Sequence, residues 1–368
     1  MPRSGAGDLL SRIGMRVPII QAPMAGVSTA AMAAAVSQTG GLGSLGIGAM
    51  TAEQARTIIH EFRALSDGPL NVNLFVHQPA KVDPGRDLAW LERLAPEFGR
   101  WGRPAPTSLR EIYPSFLDNI DMLEMLVAER PRVVSFHFGL PHPAQIDALH
   151  RAGAVLLASA TTLDEARAVE AAGIDAVVAQ GFEAGGHRGV FDPDAGDSRL
   201  TTVALTRLLA RSVSVPVIAA GGIMDGAGVA AAVALGACAV QMGTAFLATD
   251  ESLADAGFRT RLQGSAAHQT VMTRVISGRP ARSLSNDFTR WGETVPDGVI
   301  PDYPIAYDAG KALNAAAKAA GNLGYGADWA GQGAPLVRAM STQQLMSTLI
   351  EELRAASAAM QGRTEGGA

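Results

Sequence analysis

Short β-branched apolar runs recur along this chain with a helix-patterned stretch between each pair, an alternation that commits it to a parallel sheet with crossover helices. Eight runs qualify as strands: residues 18–21, 40–45, 70–75, 133–138, 154–159, 176–180, 215–220 and 237–242. Between them, Thr51-Ala-Glu-Gln54 and Thr162-Leu-Asp-Glu165 have capping-box spacing, in which side chains satisfy the backbone donors that a helix start leaves open. The fold this predicts is an α/β (β/α)8 barrel of the TIM type, which takes about 250 residues. The chain has 368 residues, so something smaller must accompany it.

Two segments break the alternation. Residues 78–115 hold several prolines and the run FGRWGRPAPTS, and read as an insertion after the third strand. Residues 250–335 carry helical patches (Glu251 to Gln263, Gly310 to Ala320) separated by glycine and proline. They predict a smaller, mainly helical second domain, a lid over the substrate, inserted before the last barrel helix. The expected division is therefore a barrel over 1–249 and 336–360, a lid over 250–335, and a loose tail over 361–368. Within it, the amphipathic stretch Ser341 to Met360 supplies the closing helix.

Composition narrows the class. With 48% apolar residues, 41 glycines and 5% aromatics, the chain reads as a compact α/β enzyme and not a disordered one. A net charge of −5 with mixed signs gives no basic stripe for nucleic acid. Gly226 to Thr249 is free of charge and long enough to span a bilayer. Asp225 before it and Gly236 within it make helix-then-strand the better reading, so no membrane partner is expected. Asp8, Arg12 and Arg16 fall where a signal peptide needs an apolar core, which predicts a cytoplasmic protein. The single Cys238 sits in a predicted strand and reads as core.

The seventh and eighth strands end in VPVIAAGGI and ACAVQMGTAF, each opening into glycine where a barrel of this kind grips phosphate with backbone N–H groups. A phosphorylated cofactor follows from that. Gly41-Leu-Gly43-Ser-Leu-Gly46 also has dinucleotide spacing, with Glu61 about twenty residues on. A helical pattern precedes it and the next helix starts at Thr51, so strand two with tight packing is preferred. Other polar residues also gather at strand ends, on the face where barrels build active sites. They are Gln21-Ala22-Pro23-Met24, Asn71-Val-Asn73, His137, and the loop from Gln180 through Gly185 and Gly186 to His187. Singly each has an ordinary reading, as cap, turn former or core; jointly they point into one pocket. Tyr303, Tyr307 and Lys311 follow at i, i+4 and i+8, on one helix face, as a packed stripe or a pocket wall. Arg274, Arg279 and Arg282 are expected to fix the lid through ion pairs. The remaining histidines show no metal-ligand spacing, so no metal is expected.

IIQAPMAGVST, NVNLF, VVSFHFGLP, AQGFEAGGHRG, VIAAGGI, VQMGTAFL, SGRPARSLSN, YPIAYDAGK and WAGQGA together resemble the FMN-dependent nitronate monooxygenases, formerly called 2-nitropropane dioxygenases. The resemblance runs over nearly the whole chain and is weakest in 78–115 and the tail. It implies FMN as cofactor, with Ala22, Pro23 and Met24 against the flavin and Asn73 and Gln180 bonded to its ring or ribityl chain. Gly185, Gly186, Gly222, Gln241, Met242, Gly243 and Thr244 would hold it, those from Gly222 onward at the phosphate. It also favours a pocket wall for Tyr303, Tyr307 and Lys311, orienting an anionic nitro or nitronate group.

Strand alternation puts Val133, Ser135 and His137 on one face, lifting the His137 imidazole into the barrel mouth. Together with the resemblance, this makes His137 the expected catalytic residue, as a base or as an imidazolium that stabilises an anion. His187 is expected to bind substrate. The implied reaction is oxidative denitrification of alkyl nitronates with O2, giving a carbonyl product and nitrite. Propionate 3-nitronate, a toxic metabolite, is the expected substrate, which would make the role detoxification, with Lys311 for its carboxylate. Two alternatives share the flavin grip: an NAD(P)H:quinone or enoyl-thioester reductase, and a flavin-binding protein without turnover.

Overall fold

The structure, a computed structural model, describes residues 6–365. Its strands in chain order are β1 Ile19–Gln21, β2 Gly43–Gly46, β3 Leu70–Phe75, β4 Val133–His137, β5 Val155–Ala160, β6 Ala176–Gln180, β7 Gly186–His187, β8 Val217–Ala220, β9 Ala239–Met242, β10 Thr270–Thr273 and β11 Ala281–Leu284. Eight of them form one parallel sheet in the order β1-β9-β8-β6-β5-β4-β3-β2. A parallel bridge between Ile20 and Leu42 brings its two ends together, with Gln21 N donating to Leu42 O at 3.0 Å and Leu42 N to Ile19 O at 3.1 Å. The expected barrel is therefore present, and its seventh and eighth strands are β8 and β9.

Burial follows the period of two. Val134 and Phe136 face the surrounding helices, whereas Val133 packs inside the barrel with Leu157, Val178 and Ile218. The helix Ala6–Ile13 stops the N-terminal end of that interior with Leu9 and Ile13. Side chains fill the lower barrel, so only its C-terminal mouth is open to ligands.

The glycine motif of residues 41–46 is strand β2. A Cβ on Gly43 would lie 2.0 Å from the Ala33 carbonyl oxygen, so glycine is there to let β2 lie against the helix Ala30–Gln38. The charge-free stretch is the helix Gly226–Ala234 followed by β9, and among the described residues no helix is long and apolar enough to cross a membrane. Thr51 and Gln54 complete a capping box. Thr162 caps its helix, but the Glu165 carboxylate bonds instead to Thr161, at 2.6 and 2.7 Å, and to Phe191 N.

The two irregular segments share one apolar core. Residues 78–115 contain the helix Pro84–Arg100, whose Trp90, Leu91, Leu94 and Phe98 pack with Val275, Phe288, Ala306 and Leu313 from 250–335. That second segment has the helices Ala256–Gln263, Asp287–Gly292 and Ile305–Ala319. It also has β10 and β11, which its sequence pattern did not predict; they pair antiparallel, and β11 pairs with β7. This small sheet fastens the loop after β6 to the second segment. The closing helix runs Thr342–Glu365, so residues 361–365 of the expected loose tail continue it and 366–368 lie outside the described residues. Its Leu345, Met346 and Leu349 pack with Ile19, Val36 and Val240.

Candidate active site

A cavity of ≈ 530 Å³ opens at the C-terminal ends of the barrel strands. It brings together every residue that was assigned a site role: Ala22, Pro23, Met24, Asn73, His137, Gln180, Gly185, Gly186, His187, Gly222, Gln241, Met242, Gly243, Thr244, Tyr303, Tyr307 and Lys311. Gln21 and Asn71, named with them at strand ends, lie outside its lining, buried in bonds to Ser28 and Ser44.

One end is backbone. After β8, Gly221 and Gly222 take φ of +119° and +70°, a left-handed pair that glycine adopts without steric cost. After β9 the chain enters a short 3-10 turn, Thr244–Phe246. Among the described residues the N–H groups of Gly222, Gly243 and Thr244 donate to no protein acceptor. Such adjacent free donors form an anion cradle.

Towards the middle, Asn73 donates through Nδ2 to Ser135 Oγ (2.9 Å) and Ser135 O (3.2 Å), which leaves its Oδ1 without a protein partner. Gln180 is more committed than its sequence position suggested. Its Nε2 donates to His187 O at 3.0 Å and its Oε1 accepts from Gly189 N at 2.7 Å, so it holds the 186–189 loop in place. Only its remaining N–H is left for a cofactor.

The two histidines differ in what they can do. His137 Nε2 lies 3.1 Å from the His187 carbonyl, which can only accept, so Nε2 carries the proton. His137 Nδ1 then accepts from Ser159 Oγ at 2.9 Å. Burial, with Arg279 and Arg188 nearby, pushes its pKa down to about 4, so the ring is neutral at pH 7 and the imidazolium role does not fit. His187 Nε2 lies 2.8 Å from Ser277 Oγ, whose proton also has Arg279 O as an acceptor at 3.3 Å. With that hydroxyl turned to Arg279 O, His187 Nε2 is the donor and Nδ1, which has no partner among the described residues, keeps a lone pair. Burial, with His137 and Arg279 close by, lowers its pKa to about 3.

Aromatic rings enclose His187: Phe138 at 5.6 Å, Tyr303 at 5.3 Å, Tyr307 at 6.0 Å and Trp329 at 5.0 Å between centroids. Burial drives the Tyr303 phenol well above its ordinary pKa and Tyr307 to about 12, so both stay protonated donors; Tyr303 Oη has no protein partner. Tyr307 and Lys311 stand on one face of the helix Ile305–Ala319, and Tyr303 precedes that helix at a cis bond to Pro304. Lys311 is exposed at the rim, its Nζ 4.9 Å from the Tyr113 ring centroid and 5.4 Å from that of Tyr307.

Ser135, Ser159, Tyr113 and Trp329 are among the lining residues to which the sequence assigned no site role. Ser135 and Ser159 face the cavity from β4 and β5; Ser135 shares the His137 face by strand alternation, and the same alternation in β5 points to Ser159. Tyr113 comes from the irregular segment 78–115, and Trp329 opens the WAGQGA run. The expected ion pairs hold for Arg274, with Asp194 at 3.0 Å and Asp297 at 3.6 Å. Arg282 instead bonds the Phe182 carbonyl and Thr270 Oγ1, and Arg279 the carbonyls of Val190 and Phe191. Among the described residues no group of His, Cys, Asp or Glu is arranged to hold a metal ion.

These features suit a flavin nucleotide: an anion cradle, a free amide acceptor, and the apolar Ala22, Pro23 and Met24 in the same lining. The chain is 58% identical over 352 residues to a nitronate monooxygenase of Paraburkholderia phytofirmans, covering 96% of each. The structure of a nitroalkane oxidase from Streptomyces ansochromogenes superposes with a TM-score of 0.87 at 40% identity, over 95% of this chain and 99% of that one. FabK from Thermotoga maritima superposes with a TM-score of 0.74 at 31% identity, over 97% and 98%. The sequence profile of the nitronate monooxygenases matches residues 8–352, and the chain belongs to that family of oxidoreductases.

Proposed function

We propose that the protein binds FMN and oxidises alkyl nitronates with O2 to a carbonyl compound and nitrite, with propionate 3-nitronate as substrate. The observation that carries this reading is the single cavity that joins the free donors of Gly222, Gly243 and Thr244 to the His187 lone pair, two protonated phenols and Lys311. FMN, when bound, supplies the electron acceptor and the oxygen chemistry. The protein supplies position. The backbone donors would hold the phosphate, Asn73 Oδ1 would take a ring N–H, and Ala22 to Met24 would lie against the flavin. Tyr303 and Tyr307 donate to the nitronate oxygens, and Lys311 at the rim meets the carboxylate. Trp329, in the cavity lining, would help keep water from the reacting carbon.

The proton-accepting role moves from His137 to His187. His187 Nδ1 offers an open lone pair, while His137 spends both nitrogens on Ser159 and the His187 carbonyl and so orients the loop. An imidazole with a pKa of about 3 is a weak base at pH 7. A nitronate has already lost its proton and needs no strong base. The nitronate is therefore the better substrate and the neutral nitroalkane the slower one.

The likeness to FabK supports a second reading, a nicotinamide-dependent reductase on the same barrel. Anaerobic mixing of the flavin-loaded protein with propionate 3-nitronate, and separately with NADH, decides between them. Rapid loss of flavin absorbance with the nitronate and none with NADH is expected. The reverse pattern would overturn the proposal. Lys311→Ala should raise KM for propionate 3-nitronate by roughly tenfold and leave ethylnitronate, which has no carboxylate, nearly unchanged. Equal KM changes for the two would remove Lys311 from the carboxylate site.

A further inference from the structure

Arg279 is buried, with 4% of the residue exposed, yet among the described residues its guanidinium has no carboxylate within ion-pairing distance. Its Nη2 donates to the Val190 and Phe191 carbonyls, and its Nε is buried without any partner. Arg188, just as buried, is paired with Asp197 at 2.8 Å. An unpaired buried cation is costly, so something nearby must compensate for it.

One compensating group is the face of Phe138, whose ring centroid lies 4.2 Å from the guanidinium carbon. Phe138 follows His137 directly and has φ +80°, a left-handed backbone that a bulky residue adopts only when its surroundings enforce it. Gly139 comes next, where a Cβ would lie 2.7 Å from the Val76 carbonyl oxygen. This turn seats the Phe138 ring against Arg279. The same ring meets His137 at 4.5 Å, His187 at 5.6 Å and Tyr303 at 5.4 Å between centroids. One aromatic ring therefore touches both an unpaired cation and three of the groups that line the cavity.

We propose that Arg279 is a positioning residue which, acting through Phe138 and without touching the ligand, sets the charge preference of the cavity, favouring a planar anion over a neutral molecule of the same shape. The inference rests on the reading of this cavity as a nitronate site and deepens it: selection for nitronate over nitroalkane begins in binding. The groups around the guanidinium agree. Burial chiefly, and the guanidinium in addition, lower His77, His137 and His187; Arg274 adds positive charge, Tyr303 is a neutral phenol, and Glu165 and Asp192 act from farther away. Burial disfavours charge of either sign, so it is the Coulombic share, which comes from the guanidinium, that favours an anion.

The test is calorimetric titration of the flavin-loaded enzyme with sodium nitrate and with freshly dissolved nitroethane, at one neutral pH and ionic strength. Arg279→Met should raise the nitrate Kd about tenfold and the nitroethane Kd less than about twofold, whereas Arg279→Lys should keep most of the nitrate affinity. The midpoint of the His187 ring titration, followed by NMR, should move up in Arg279→Met and stay in Arg279→Lys. An unchanged nitrate Kd, or equal losses for both ligands, would overturn the proposal. Should Arg279→Met fail to fold, wild type and Lys311→Ala decide. Both must bind nitrate more tightly than nitroethane, because the rim ammonium is not the source of the preference, and a lost preference in Lys311→Ala would assign it to Lys311 instead. Nitrate preference without nitronate turnover would sink the functional reading alone; turnover without the preference would sink this inference alone.

Discussion

At the scale of single residues, the two histidines show what a side chain's partners decide. Sequence position put both His137 and His187 at strand ends facing one pocket, which is where they lie. Which of them keeps a lone pair could not be read that way, because the tautomers are set by the His187 carbonyl, 50 residues from His137, and by Ser277, 90 residues from His187. The expected consequence is a split between substrates. His187→Asn should lower turnover of a neutral nitroalkane by roughly 10²-fold or more while changing nitronate turnover by less than about tenfold. His137→Asn should loosen the 186–189 loop and affect both substrates alike. Steady-state kcat/KM with nitroethane and with ethylnitronate checks both; equal effects of His187→Asn on the two would refute the proton-accepting role.

At the scale of elements, the parallel strands and the crossover helices were legible because periodicity and capping are local. Strand β2 illustrates the limit. Its glycines imitate a nucleotide motif, and what decides their meaning is the Ala33 carbonyl that a Gly43 Cβ would strike at 2.0 Å. Gly43→Ala should therefore destabilise the fold by about 1–3 kcal/mol or more through overpacking, read as a lower urea midpoint at unchanged m-value. Gly14→Ala is a useful contrast, since a Cβ there meets nothing and only its φ of +91° is strained. A Gly43→Ala midpoint no lower than that of Gly14→Ala would mean that β2 can shift to make room. Strands β10 and β11 were missed for a related reason: they are four residues each, and pairing with one another and with β7 makes them strands.

At the scale of the whole molecule, three imidazoles are buried in neutral form, with pKa values of about 4 for His77 and His137 and about 3 for His187. In the unfolded chain the same groups take up protons near pH 6.5. Between pH 6.5 and about 4 the unfolded state thus binds up to three more protons, so stability is full above 6.5 and is lost as pH falls through this window. The urea midpoint should be lower at pH 5 than at pH 7.5, and His77→Phe should reduce that difference. A midpoint that does not move would show that these rings are not held neutral.

The sequence by itself determined the barrel, its eight strands and the face on which a phosphate-gripping site had to form, because each follows from spacings that short segments carry on their own. Only the tertiary structure decided that residues 78–115 and 250–335 close over one shared core, that Tyr113 and Trp329 reach the cavity, and that Arg279 lies unpaired against Phe138. Those outcomes depend on burial and on partners far apart in the chain, and a side chain's charge, tautomer and neighbours exist only once the chain has folded around it.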